Sequence, residues 1–319
     1  MKATLVLFLM AGSLAGQPRP ATTADFDRWM KELSNWGRWG ARDEIGTLNL
    51  ITPASRLAAA KLVREGVAIS LSRDADKEKA PDNSRPFIQE MLASSEKPGA
   101  EIFTDSFTVA PHGIAHTHMD ALCHFSYKGQ QYNGVPIANV TNKGAAHMNI
   151  EIARTGIFAR GVLIDVPELK DVAYLEPGAA IYPEDLDAWE KKTGVHIRSG
   201  DVVFIRTGRW ARRAEKGPWN LAERAGLHAS CVRWLHQRDI AILGSDASSD
   251  VRPSQVEGID QPVHTLALVA MGTPILDNCN LEDLSQEARK RHRWDFLLTT
   301  SPLAIPGGTG SPLNPIAIF

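Results

Sequence analysis

Apolar and polar positions along the chain follow two periods, one helical and one extended. Residues 25–33 carry apolar side chains at helical spacing. Thr52 and Pro53 open a second helix, with Thr as N-cap and Pro at the first helical position, expected to run to about residue 65. Residues 67–72 alternate and are β-branched, which predicts a strand directly afterwards. Residues 74–99 are polar and contain prolines, the mark of a long surface excursion, and 101–109 read as a strand. The runs at 161–166, 201–206 and 240–244 are continuously apolar, as fully buried strands are. Helices are predicted over 182–193, closed by Gly194, and over 231–237. Residues 264–271 form an apolar, helical stretch, 275–276 lead a last short strand, and 294–300 precede a tail rich in Pro and Gly. Strands interleaved with helices, without a repeat or a linker, predict one mixed α/β domain over residues 17–319.

Residues 1–16 stand apart. One lysine, a short apolar stretch and a run of small residues have the layout of a secretory signal peptide, which implies a periplasmic or secreted protein. Beyond it no apolar run approaches the ~18 residues a membrane span needs, so no membrane partner is expected. The 319 residues are 43% hydrophobic and 23% charged, which excludes a disordered or fibrous chain. Lys and Arg number 35 against 37 Asp and Glu, and no basic cluster is dense enough to suggest a nucleic-acid partner. Cys123, Cys231 and Cys279 lie far apart without a CxxC pair, so neither a disulfide framework nor a zinc knuckle is expected. Dinucleotide and phosphate-loop fingerprints are absent from the sequence.

Four of the ten histidines fall in His112-Gly-Ile-Ala-His116-Thr-His118-Met-Asp120-Ala-Leu-Cys-His124. An extended chain turns His116, His118 and Asp120 to one side, whereas a helix aligns His112, His116, Asp120 and His124. Thr117 and Gly113 favour the strand. Either arrangement gives a face of imidazole and carboxylate suited to Zn²⁺ or Mn²⁺, with a coordination position left open for chemistry. The same two-histidine, one-carboxylate set occurs in non-haem iron oxygenases, and a non-catalytic secreted metal-binding protein is a further alternative.

The segment His118-Met-Asp120-Ala-Leu-Cys-His124 resembles the His-x-Asp-x-Pro-x-His core of the metal-dependent cyclase superfamily, which includes bacterial kynurenine formamidase, isatin hydrolase and trans-dienelactone hydrolase-like enzymes. The likeness extends to Trp39-Gly40 through Asn49, Arg206-Thr207-Gly208, Gly244-Ser-Asp246, Pro262-Val-His264, Leu276-Asp277-Asn278 and the Pro-Gly-Gly-Thr-Gly-Ser-Pro tail of the longer members. The resemblance implies a swivelling β/β/α-type cyclase-like fold, a homo-oligomer, and one or two Zn²⁺ or Mn²⁺ ions per chain. It implies His118 and Asp120 as metal ligands, His264 and Asp277 as ligands of a second metal, and His124 as the residue that moves protons. The substrate it implies is a small cyclic or N-acyl carbonyl compound: a lactone, a lactam or a formamide. Metal-activated water would hydrolyse it, the metal lowering the pKa of water from ~15.7 to about 7. Two positions depart from the pattern. Ile114 stands where the first ligand is usual, so His116 is expected to replace it, with His112 as the substitute; Leu122 takes the place of the usual proline.

Other candidates have plainer readings. Asp246 and Asp250 are expected to cap helices, and Cys123 to be inert packing beside the metal face. Trp36 and Trp39 either wall a pocket or pack in the core. Ser245 lacks the Gly-x-Ser-x-Gly elbow of a serine hydrolase.

Overall fold

The computed structural model describes residues 19–99 and 101–319. The leader-like segment 1–16 lies outside the described residues. Among those residues, nine strands form one mixed sheet: β1 (Ala68–Ser70), β2 (His118–Asp120), β3 (Ile157–Asp165), β4 (Val202–Arg206), β5 (Ile242–Ser245), β6 (Ile275–Asp277), β7 (Asp295–Thr300), β8 (Gly310–Pro312) and β9 (Ile316–Ile318). Their spatial order is β1-β9-β7-β3-β4-β5-β6-β2-β8. The four strands from β3 to β6 run parallel, and every other pairing in the sheet is antiparallel. Every residue of β4, β5 and β6 is buried, which is why the runs there lack alternation.

Helices carry the parallel crossovers. Pro183–Thr193 lies between β3 and β4 and ends where Gly194 takes a left-handed φ of 69°. Arg209–Lys216 and Cys231–Gln237 lie between β4 and β5. The apolar stretch after β5 winds as a short helix, Pro262–His264, that passes into π-helix over Thr265–Met271, buried at every residue.

The structure differs from the sequence expectation at three places. The helix opened by Pro53 stops at Ala60, because the amides of Glu65 and Gly66 both pair with the carbonyl of Phe319 instead of continuing the helix. The polar excursion holds a strand, Ile88–Ala93, paired with Thr104–Thr108; both are exposed almost throughout, so no buried face imposes an alternation. The strand at 275–276 is not the last: residues after it supply β7, β8 and β9.

A buried ion pair ties the sheet to its helical layer. Arg206, at the end of β4, donates to Asp165 of β3 at 2.8 Å and to Glu282 at 2.6 Å, while Ser285 donates to the second oxygen of Asp165 at 2.5 Å. The side chains of Arg206 and Asp165 are only 7% and 0% exposed. Replacing Arg206 by Met therefore strands a carboxylate in the core. The expected loss is about 3–5 kcal/mol, read from the denaturant midpoint of R206M against wild type.

Candidate metal centre

The pairing of β2 with β6 builds the centre. His118 and Asp120 are two apart on β2 and share a face, while Met119 between them turns into the core and is fully buried. In the antiparallel register Asp277 stands directly opposite His118, so its carboxylate joins the same face. Nitrogens of four histidines lie within 4 Å of the Asp120 carboxylate. His112 Nδ1 lies 2.9 Å and His118 Nε2 3.3 Å from its Oδ1, His124 Nε2 lies 3.9 Å from the same oxygen, and His264 Nε2 lies 3.7 Å from Oδ2. His264 Nε2 also lies 3.0 Å from Asp277 Oδ2. Two triads have geometry able to hold an ion, His112–Asp120–His124 and His118–Asp120–Asp277, and they share Asp120.

His116 does not join them. Its Nε2 lies 3.4 Å from the carbonyl of Arg85, and its ring stands edge-on to Phe87. The strand begins only at His118, so the alternation that would align His116 with it does not extend that far back. What His116 turns inward is its carbonyl, which accepts from His118 Nδ1 at 2.8 Å and from Asn278 Nδ2 at 3.2 Å. The first bond leaves Nε2 of His118 facing the centre. His112 comes in from the loop before the strand and takes the place expected of His116.

Two residues that sequence reasoning passed over seat His112. Its Nε2 is 2.8 Å from the hydroxyl of Thr309, and its ring lies against Gly310 of β8, where an added Cβ would come within 2.5 Å of the imidazole. Both belong to the Pro-Gly-Gly-Thr-Gly-Ser-Pro tail, the one signal that could have found them. His112 also stacks on His124, with centroids 3.7 Å apart and planes within 12°.

The donors fit a metal ion. Asp120 Oδ1 and His112 Nδ1 are buried, 2.9 Å apart, and neither has a hydrogen-bond partner. With Nε2–H given to Thr309, the Nδ1 lone pair points at a carboxylate oxygen, a repulsion that a cation between them removes. Imidazole nitrogens and carboxylate oxygens are the ligands that Zn²⁺ and Mn²⁺ accept. The charge balance agrees. Burial alone would raise the pKa of Asp120, but His124, His112 and His118 outweigh it and hold the carboxyl well below its usual range. Burial likewise works against charge on His264, yet Asp277 and Asp250 raise its pKa well above the ordinary imidazole value. His124 behaves differently: burial pushes it down to about 4, with His112, His264 and His118 assisting against Asp120. Its imidazole is neutral at neutral pH. Cys123 beside it is pushed up to about 12, chiefly by burial.

A cavity of about 340 Å³ lies beside this group, lined by Asn83, Arg85, Ala110 and residues 112–116, so that His112 is the member of the group that borders it. Trp36 and Trp39 do not line it. Trp36 is held by a 2.7 Å bond to the carbonyl of Val269 beside a separate cavity, and Arg38 stacks over Trp39. Asp246 caps no helix in the simple sense; it collects the amides of Thr207, Gly208 and Arg209 and the hydroxyl of Thr207. This joins the Arg206-Thr207-Gly208 and Gly244-Ser-Asp246 segments. Arg209 then reaches Asn278 Oδ1 at 2.7 Å and the carbonyl of Ile114, bracing the loop that carries His112.

Comparison with known proteins agrees with this architecture. The Cyclase family model matches residues 69–250. A crystal structure of a novel cyclase is 31% identical, superposes with a TM-score of 0.82, and aligns over 91% of this chain and 99% of its own. Isatin hydrolase A from Ralstonia solanacearum is 21% identical, with a TM-score of 0.55 over 83% of this chain and 94% of its own. Isatin hydrolase A from Labrenzia aggregata, bound to benzyl benzoate, is 20% identical, with a TM-score of 0.56 over 83% and 98%. These last two share the fold. No curated protein matches the sequence significantly.

Two outcomes follow from the packing. In G310A the added Cβ would meet the His112 ring at 2.5 Å and the Met119 carbonyl at 2.6 Å, so both the imidazole and the edge of β2 shift and metal affinity falls; competition with a chromophoric chelator measures this. Cys123, Cys231 and Cys279 are all free, buried and raised in pKa. A thiol reagent at pH 8 is therefore expected to label none of them in the native protein and all three after denaturation.

Proposed function

The chain belongs to the Cyclase family, and from that premise we propose that it is a metal-dependent hydrolase that opens or cleaves a small cyclic or N-acyl carbonyl compound, a lactone, lactam or formamide. The observation that carries the reading is the gathering of His112, His118, His264 and Asp277 around the buried Asp120, with His112 bordering a small-molecule cavity. A cavity of about 340 Å³ is at the small end of the ~300–1,000 Å³ typical of ligand pockets. His112, His118, Asp120, His264 and Asp277 would hold one or two ions, Zn²⁺ or Mn²⁺. When bound, such an ion supplies Lewis acidity that polarises a carbonyl and acidifies water.

The chain's own residues supply the rest. His124 and His112 are the least enclosed of the histidines nearest Asp120, the His124 side chain being 25% exposed, and its Nε2 faces the group. Being neutral, it can take the proton of the attacking water at Nε2 and return it to the departing nitrogen or oxygen, leaving a carboxylic acid and an amine or alcohol. Thr309 and the carbonyl of His116 fix the imidazoles of His112 and His118, so the ligand set is oriented before substrate arrives. Phe125 lies against both His124 and His264 and covers that side with an apolar ring.

Elemental analysis of the purified protein beside H118A tests the centre. About one or two Zn or Mn per chain, lost in the variant, supports the reading; iron in their place, with oxygen uptake, or no metal after reloading would sink it. H124A separates proton transfer from ligation. With the triad of His118, Asp120 and Asp277 intact it is expected to keep an ion there, and to lose roughly 10²–10⁴-fold in kcat on whichever lactone, lactam or formamide the wild type turns over.

A further inference from the structure

Asp250 follows β5, and the sequence offers it only as a helix cap. The structure gives its two oxygens different work. Oδ1 accepts the amide of Val263 at 2.6 Å, at the start of the helix Pro262–His264, which is the capping role. Oδ2 accepts the amide of His264 at 3.3 Å and lies 2.5 Å from Nδ1 of the same residue's ring. The opposite ring nitrogen, Nε2, faces Asp277 Oδ2 at 3.0 Å and Asp120 Oδ2 at 3.7 Å. Asp250 and His264 are 0% and 2% exposed, so no water competes for these contacts. The backbone of Asp250 is itself held: its carbonyl accepts from Arg224 Nε at 3.2 Å, and the next amide, of Val251, pairs with Leu227 at 3.1 Å.

We infer that Asp250 is the positioning residue of this centre, holding the proton of His264 on Nδ1 so that the lone pair of Nε2 is presented to an ion shared with Asp120 and Asp277. A carboxylate can only accept, so Asp250 keeps a hydrogen on Nδ1; Asp277 faces Nε2 in the same way, and the hydrogen there is the one an ion would replace, leaving Nε2 to ligate. The inference rests on the proposed reading of His264 and Asp277 as ligands. It goes beyond that reading by giving a role to a residue that neither spacing nor motif assigns.

Capping and positioning separate cleanly in D250N. Asn caps a helix about as well as Asp, so the metal-free protein is expected to fold, its thermal midpoint lowered only by the lost pairing with His264. The amide cannot accept from both Val263 and the ring, so it turns an N–H toward Nδ1 and moves the ring proton to Nε2. Zinc affinity, from competition with a chromophoric chelator, is expected to fall by about ten- to a hundredfold. In an H264A background the same substitution is expected to change zinc affinity no further. Nitrogen-15 NMR of the zinc-loaded wild type is expected to show the His264 proton on Nδ1. Unchanged zinc affinity in D250N, or an equal loss with and without His264, would overturn the inference while leaving the hydrolase reading intact. A wild-type protein that takes up no zinc or manganese would overturn both.

Discussion

Three residues of antiparallel pairing between β2 and β6 decide whether this protein has a centre at all. The register sets Asp277 opposite His118, and with Asp120 they form one face. Slipping the strand by one residue would turn both ligands of β2 into the core and bring Met119 out in their place. Strands this short hold a register poorly on their own, so it is fixed from outside. β8 pairs with the other edge of β2. Thr117 donates to the carbonyl of Asn278, and Asn278 donates to the carbonyls of Gly113 and His116. The segments flanking the two strands are thus sewn together before the ligands meet.

The cost of that arrangement is electrostatic. Asp120, Asp277 and Asp250 are all buried within reach of His264, in a region where an unpaired charge is expensive. Imidazoles alternate with carboxylates, so each carboxylate faces a ring nitrogen. Farther out, Asp246 is met by a ring of backbone amides, with Arg206 adding its charge from nearby. The Arg-Thr-Gly and Gly-Ser-Asp segments, which look like independent motifs along the chain, are the two halves of that contact. Their task is to carry Arg209 to Asn278 and to the loop that bears His112.

How much of this was legible follows from how local each signal is. The buried strands β3, β4 and β5 announce themselves because a strand covered on both faces must be apolar throughout. The exposed hairpin Ile88–Ala93 with Thr104–Thr108 has no buried face and so leaves no period to read. Within the histidine cluster, spacing brings out His118 and Asp120 because they lie on a strand, whose geometry is local. It misplaces His116 and undervalues His112 because the chain before His118 is a loop held by distant residues. Thr309, Gly310 and Asp250 were out of reach for the same reason: each touches its histidine through folding, and no spacing rule connects them. The Cyclase likeness carried the tail motif but not its use, which is to leave room for an imidazole.

The seating of His112 by Thr309 joins residues 197 positions apart in the chain. On the ribosome, His112, His118, Asp120 and His124 therefore emerge long before β6 and β8 exist to flank them. Through most of synthesis they sit on an extended segment with both edges open, able to meet passing ions but not to select among them. The centre takes its shape only when almost the whole chain is out. An ion held there would accordingly be captured where the last strands dock, once β6 and β8 flank the histidines.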